Sequence, residues 1–176
     1  MKNRSAATPV EPPARRQAII GVAAAAGALL LPSATRAHEQ DTKTKANNTR
    51  TSLHQEVDFK ATPQRIYAVL LDSKQFSAFT GAPAQVTPDA GAAFSLFGGG
   101  ILGRNVELVP AQRIVQAWRS AGWEPGVYSI VKFEFKPRGS QTTIVLDHTG
   151  FAEGRYEHLY SGWKEHYWDD LQKFLA

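Results

Sequence analysis

One ten-residue stretch constrains this chain more than any other. Val127, Ser129, Val131, Phe133 and Phe135 share one side of an extended segment, and Tyr128, Ile130, Lys132, Glu134 and Lys136 share the other. A period of two with one mainly apolar side predicts a strand of a sheet that buries a single face. Such a sheet needs a cover, and the C-terminus supplies one. From Tyr156, apolar residues recur at Leu159, Trp163, Tyr167, Leu171 and Phe174, close to one per helical turn, while Asp169, Asp170 and Lys173 mostly face away. A helix of about 20 residues is about 30 Å long, the longest element the chain can form.

The remaining folded part fits between these two. Leu53, Gln55, Val57 and Phe59 alternate with His54, Glu56, Asp58 and Lys60, which predicts a half-buried first strand. Thr62-Pro63 then supplies an N-cap and a proline at the first helical position, and Ile66, Val69 and Leu70 form a helical stripe to about Asp72. Phe76 and Phe79 predict a second short helix ended by Gly81. Residues 94–97, 104–109, 113–119 and 141–149 read as further strands, with turns at Gly98-Gly99-Gly100, Pro110-Ala111-Gln112 and Pro137-Arg138-Gly139-Ser140. Sequential strands with short turns make an antiparallel meander. The predicted class is α+β: a curved antiparallel sheet packed on a long C-terminal helix, with two short helices after the first strand. Residues 53–176 form this single domain.

What precedes it reads as an address. Arg15-Arg16 stands directly before an uncharged run over residues 18–31, Pro32 and Ser33 break the run, and Thr35-Arg36-Ala37 offers small residues at −3 and −1 of a cleavage site. This is the order of an export signal, residues 1–37, and the paired arginines resemble the twin-arginine type. The run falls short of the ~20 residues that span a bilayer; left uncut, it would serve as an N-terminal anchor. The expected location is the periplasm or outside the cell. Residues 38–52 contain one apolar residue, Ala46, and are expected to form a disordered tether. The net charge of +4 lies wholly in the leader, which carries Lys2, Arg4, Arg15, Arg16 and Arg36 against Glu11; the remainder is balanced. A neutral body has no electrostatic attraction for a phosphate backbone, so nucleic acid is not an expected partner. The chain has no cysteine, which excludes disulfides and thiolate chemistry.

A series of short motifs resembles a known family. Ala78-Phe79-Thr80-Gly81-Ala82-Pro83 is followed by Gly91, Phe94, Leu108-Val109-Pro110, Ile114-Val115, Trp118-Arg119 and Trp123-Glu124-Pro125-Gly126. Gly162-Trp163, Tyr167-Trp168 and Leu171 complete the series. The order is similar to the C-terminal domain of activators of the heat-shock protein 90 ATPase, within the SRPBCC superfamily of START-like, helix-grip domains. The resemblance covers residues 53–176. It implies a helix-grip fold, and either an apolar ligand held between sheet and helix or a chaperone partner. The activators it resembles carry a further N-terminal domain, and here a leader and a short tether stand before residue 53.

Residue by residue, catalytic motifs are sparse. Gly98, Gly100 and Gly103 satisfy G-x-G-x-x-G, but the residues that follow read as a strand instead of a helix, so a glycine-rich hairpin is expected in place of a dinucleotide site. Asp147 and His148 are adjacent on a strand and point to opposite faces, so they cannot act as a pair. His148 shares a face with Ile144 and Leu146 and is expected inside, as a pocket group or as a hydrogen-bonded histidine at a strand end. His158 and His166 lie eight apart, about 80° around a regular helix, and no metal spacing is present, so neither metal nor cofactor is expected. Asp169 and Asp170 are expected on a solvated edge. The aromatic residues carry the strongest functional signal. Phe94, Phe97, Trp118, Tyr128, Phe133, Phe135, Trp163 and Tyr167, with His148, are the candidate pocket, and Trp123 on its loop is the candidate contact for a partner or the pocket rim. The expected function is non-enzymatic binding of an apolar small molecule or a protein, with chaperone regulation and a cyclase- or hydrolase-like activity as alternatives.

Overall fold

A computed structural model of the chain describes residues 48–176. The leader and most of the expected tether lie outside the described residues. The tether's last residues are held by the domain. Asn48 O accepts from Gly154 N (2.7 Å), Thr51 O accepts from Gly150 N (2.8 Å), and the first strand begins at Ser52.

The element order follows the sequence reading. Strand β1 (Ser52–Phe59) leads to α1 (Pro63–Leu70) and α2 (Ser73–Thr80). Then come β2 (Ala93–Leu96), β3 (Ile101–Val109), β4 (Arg113–Ser120), β5 (Ser129–Arg138) and β6 (Gln141–Thr149). All neighbours are antiparallel in one six-stranded sheet ordered β1-β6-β5-β4-β3-β2. The chain closes with α3 (Tyr156–Trp163), a π-helical turn (Lys164–Trp168) and α4 (Asp169–Leu175), and the backbone stays right-handed helical through both junctions. This is the expected helix-grip arrangement.

Local chemistry sets the boundaries. The Thr62 hydroxyl accepts from Arg65 N (3.3 Å), and Pro63 opens α1, where its missing N–H costs nothing. The first helix ends at Leu70, two residues short of the expectation, because Asp72 is the N-cap of α2: its carboxylate accepts from Gln75 N (2.8 Å). Gly81 ends α2 in the left-handed region (φ 69°). Since Asp72 supplies the cap hydrogen bond of a two-turn helix, Asp72→Ala is expected to cost about 1 kcal/mol in urea unfolding, and Asp72→Ser to restore most of it.

The core lies between the sheet's inner face and the terminal helix. Leu53, Phe59, Ile114, Val131, Phe133, Phe135, Ile144 and Leu146 come from alternate strand positions. Against them pack Trp163, Tyr167, Trp168 and Leu171. Trp168 is the residue that regular helical spacing misses. In the π turn Asp169 N–H reaches Lys164 O, five residues back, so a residue five along returns towards the same face. Trp163 and Trp168, five apart, therefore stack at 5.4 Å and 20°. On its other side Trp163 stacks on Trp118 of β4 at 4.9 Å and 29°. The Trp168 indole N–H donates to Gln55 Oε1 (2.6 Å), and Gln55 Nε2 donates to Tyr160 O (3.1 Å), which ties β1 to the helix. Helix α2 closes one end of the layer: Phe76 and Phe79 meet Tyr167 edge-on at 5.6 and 5.9 Å.

Candidate functional site

The site is a cleft where the start of β3 and the end of β4 face the terminal helix. Its volume is about 400 Å³, within the range of small-molecule sites. Phe97, Trp118, Trp163 and Tyr167 line it together with Ile101, Leu159 and Gly162, and its other polar residues are Ser120, His158 and His166. Strand β4 brings Trp118 and Ser120 by alternation, β3 brings Ile101, and the helix brings its own at spacings of three to five residues.

Phe97 reaches the cleft from an uncommon backbone state. It has φ 53°, at the turn between β2 and β3, followed by Gly98 at φ 64°. A left-handed aromatic residue is held at a cost of about 1 kcal/mol or more, and such residues cluster at binding sites. The turn passes straight into β3, so Gly98, Gly100 and Gly103 form no phosphate-binding helix opening. Gly103 has a packing role. It lies opposite Phe94 on β2 and Trp118 on β4, and an added Cβ would overlap both the Ala117 carbonyl and the Phe94 ring.

Behind the cleft floor runs a fully satisfied polar chain. His148 is 1% exposed. The Trp163 indole N–H donates to its Nδ1 (3.1 Å), and its Nε2 lies 2.7 Å from Ser129 Oγ. An indole can only donate, so Nδ1 is bare, the proton sits on Nε2, and His148 donates to the serine. The serine's own proton goes to Trp118 O (3.3 Å). A nucleophilic serine must donate to its histidine, so this Ser–His pair is wired in the opposite sense. Burial lowers the His148 pKa to about 4, which keeps it neutral. Trp118 anchors a second chain: its Nε1 donates to Gln116 Oε1 (2.9 Å), and Gln116 Nε2 donates to Asn105 Oδ1 (2.8 Å). Asn105 in turn donates to Thr87 O (2.8 Å) and Asp89 O (3.1 Å). Both floor indoles thus spend their N–H groups inwards and offer the cleft only apolar ring atoms.

Of the candidate pocket residues, the structure brings Phe97, Trp118, Trp163 and Tyr167 to the cleft. Phe133 and His148 lie one layer deeper, against Trp163. Phe94 packs edge-on to Trp118 at 6.4 Å, and Phe135 faces Tyr67 of α1 at 6.1 Å, both away from the cleft. Tyr128 is not with the others: it precedes β5, is 50% exposed, and borders a separate depression with Arg104 and Arg119. Trp123 is half-buried against the core, and its carbonyl accepts from Arg119 Nη1 (3.2 Å). The interior aromatics fill one another's space, so the open volume is a solvent-facing groove instead of an enclosed cavity. His158 and His166 both border it; among the described residues no cluster of three His, Asp or Glu could hold a metal ion. Asp147 points to the opposite face from His148. There it accepts from Lys132 Nζ (2.9 Å) and is 2.7 Å from His54 Nδ1. That outer face holds a larger groove, about 720 Å³, but its Lys132, Asp147 and His54 are already paired with one another, and Arg50 sits over the Tyr156 ring at 4.8 Å. The aromatic cleft, with few polar groups and no carboxylate, lysine or arginine among its described lining residues, is the better small-molecule site.

Residues 60–176 match the family model described as activator of Hsp90 ATPase homolog 1-like protein. The chain belongs to this family. Among curated members, an activator of 90 kDa heat shock protein ATPase homolog from Dictyostelium discoideum is 33% identical over 132 residues, covering 74% of this chain. Homolog 1 from Homo sapiens is 27% identical over 115 residues, covering 65%. The chain spans 34% of the length of each of these relatives. The crystal structure of an HSP90 activator from Plasmodium falciparum superposes with a TM-score of 0.68 at 25% identity, covering 72% of this chain and 96% of that one. The matched family segment contains both short helices, strands β2 to β6, the cleft and the terminal helix.

Proposed function

We propose that this member of the activator family is an exported, non-enzymatic binding module that takes an apolar small molecule into the cleft between sheet and helix. The observation that carries this reading is the cleft itself: about 400 Å³, floored by two indoles and one phenol, with no carboxylate, lysine or arginine among its described lining residues. Native mass spectrometry of protein purified from its host is the test. A retained mass, or a shift on incubation with lipid extract, is expected. A consistently bare mass under both conditions overturns the reading. Export rests on the twin-arginine pattern; fusing residues 1–37 to a folded reporter is expected to deliver it across the membrane, and R15K/R16K to block delivery.

A second reading rests on the relatives, which are named as activators of the heat-shock protein 90 ATPase. On it, the chain binds a bacterial heat-shock protein 90 and raises its ATPase rate. No stimulation at saturating concentrations of the full chain rejects it.

A further inference from the structure

Resting on the small-molecule reading, we infer that the cleft selects an uncharged, apolar ligand bearing a carbonyl group, and that Tyr167 donates the hydrogen bond that recognises it.

Tyr167 is 4% exposed, and its ring is enclosed by Phe76, Phe79, Phe97, Trp118, Phe133 and Trp163. Its hydroxyl has no hydrogen-bond partner among the described residues. No side-chain polar atom among them is both sealed from solvent and unpartnered, so the hydroxyl keeps some exposure, and Tyr167 is one of the residues that line the cleft. A hydroxyl surrounded by rings, with one free direction, requires a partner from outside. Burial holds its pKa well above the ordinary phenol value, so it stays a donor.

The rest of the lining narrows the partner. Trp118 and Trp163 stack on each other and turn their N–H groups inwards, so they offer the cleft only apolar ring atoms, which suits an apolar ligand. No lysine or arginine lines the cleft among the described residues, so a buried carboxylate on the ligand would lack a fixed cation, and burying it would be costly. His158 and His166 stand on the exposed rim of the helix, at the mouth. Gly162 keeps that mouth open. It sits inside α3 with ordinary helical geometry, and an added Cβ would meet nothing within 4 Å. Neither backbone conformation nor packing requires glycine there, although glycine in a helix costs about 1 kcal/mol relative to alanine. What the missing side chain preserves is room.

The test uses three probes of one shape in equilibrium dialysis with the full chain: 2-acetylnaphthalene, 2-ethylnaphthalene and 2-naphthoate. The ketone and the hydrocarbon are expected to bind, and the carboxylate to bind at least about tenfold more weakly than the ketone. Tyr167→Phe is expected to weaken the ketone about fivefold, the value of one neutral hydrogen bond, and to leave the hydrocarbon within about twofold. The melting temperature of Tyr167→Phe should be unchanged or higher, because the hydroxyl lost has no partner among the described residues. Gly162→Phe should abolish binding of both neutral probes by filling the mouth. Equal effects of Tyr167→Phe on ketone and hydrocarbon, or none on either, overturn the carbonyl inference while leaving the cleft a receptor. Failure of every probe to bind wild-type protein, or binding that survives Gly162→Phe, overturns the small-molecule reading along with it.

Discussion

Gly103→Ala is expected to destabilise the domain by about 3 kcal/mol or more, with a fall in melting temperature of about 10 °C or more. Gly103 lies inside the sheet, paired on one side with Phe94 and on the other with Trp118. A methyl group there collides with two things that differ in how far they can yield. The Phe94 ring is the end of a side chain and can swing aside, at the cost of its burial. The Ala117 carbonyl belongs to the backbone of β4 and cannot move without pulling β4 from β3. The pair Gly103→Ala with Phe94→Ala separates these contributions: removing the ring should recover little, because the carbonyl clash remains. Urea unfolding of the three variants measures both effects. A Gly103→Ala protein as stable as wild type would show that the β3–β4 approach is looser than described, and the floor under Trp118 with it.

Acid is expected to remove about 3 kcal/mol of stability between pH 6.5 and pH 4 through His148 alone. Its folded pKa is about 4, lowered by burial from 6.5. The unfolded chain therefore takes up a proton before the folded one does, and stability falls as pH drops through this window. Above about pH 6.5 the contribution is constant; below about pH 4 both states are protonated and the loss is complete. Protonation also places a second N–H on the ring, facing the Trp163 indole N–H, so two donors meet. His54 works in the opposite sense, because its hydrogen bond to Asp147 raises its pKa; that gain is held below the ordinary histidine range and lost as pH rises through the folded value. It lies in the open, where solvent screening keeps it small. Chemical unfolding at half-unit pH steps, for wild type and His148→Gln, measures the difference. The glutamine variant should start less stable at pH 7 and lose much less on acidification. Parallel curves for the two proteins would remove His148 as the cause.

Much of this organisation was legible before any coordinates, because alternation and helical spacing report which face is buried. The inward row Val131, Phe133 and Phe135 and the stripe Trp163, Tyr167 and Leu171 are core. Asp147 and His148 part to opposite faces. Two things were hidden, each for a physical reason. Trp168 reads as off-stripe because spacing assumes 3.6 residues per turn, and a π turn is decided by tertiary packing. Tyr128 is not of this kind: alternation sets it opposite Ser129, away from the pocket, and it lies exposed there. Gln116 and Ser129 fall on inward rows, which marks them as buried polar groups; what each bonds to depends on strands paired at long range, and that is absent from local pattern. The Tyr167 hydroxyl belongs to the same class, since only the assembled core shows that it has no partner among the described residues.

The column of Trp118, Trp163 and Trp168 holds three of the four tryptophans in the chain. The near-ultraviolet absorption of this protein is therefore concentrated at the place where sheet meets helix. Any separation of those layers, by heat, by acid or by a wedge driven between them, alters the coupling between adjacent chromophores, so the molecule carries its own optical gauge of whether its grip is closed.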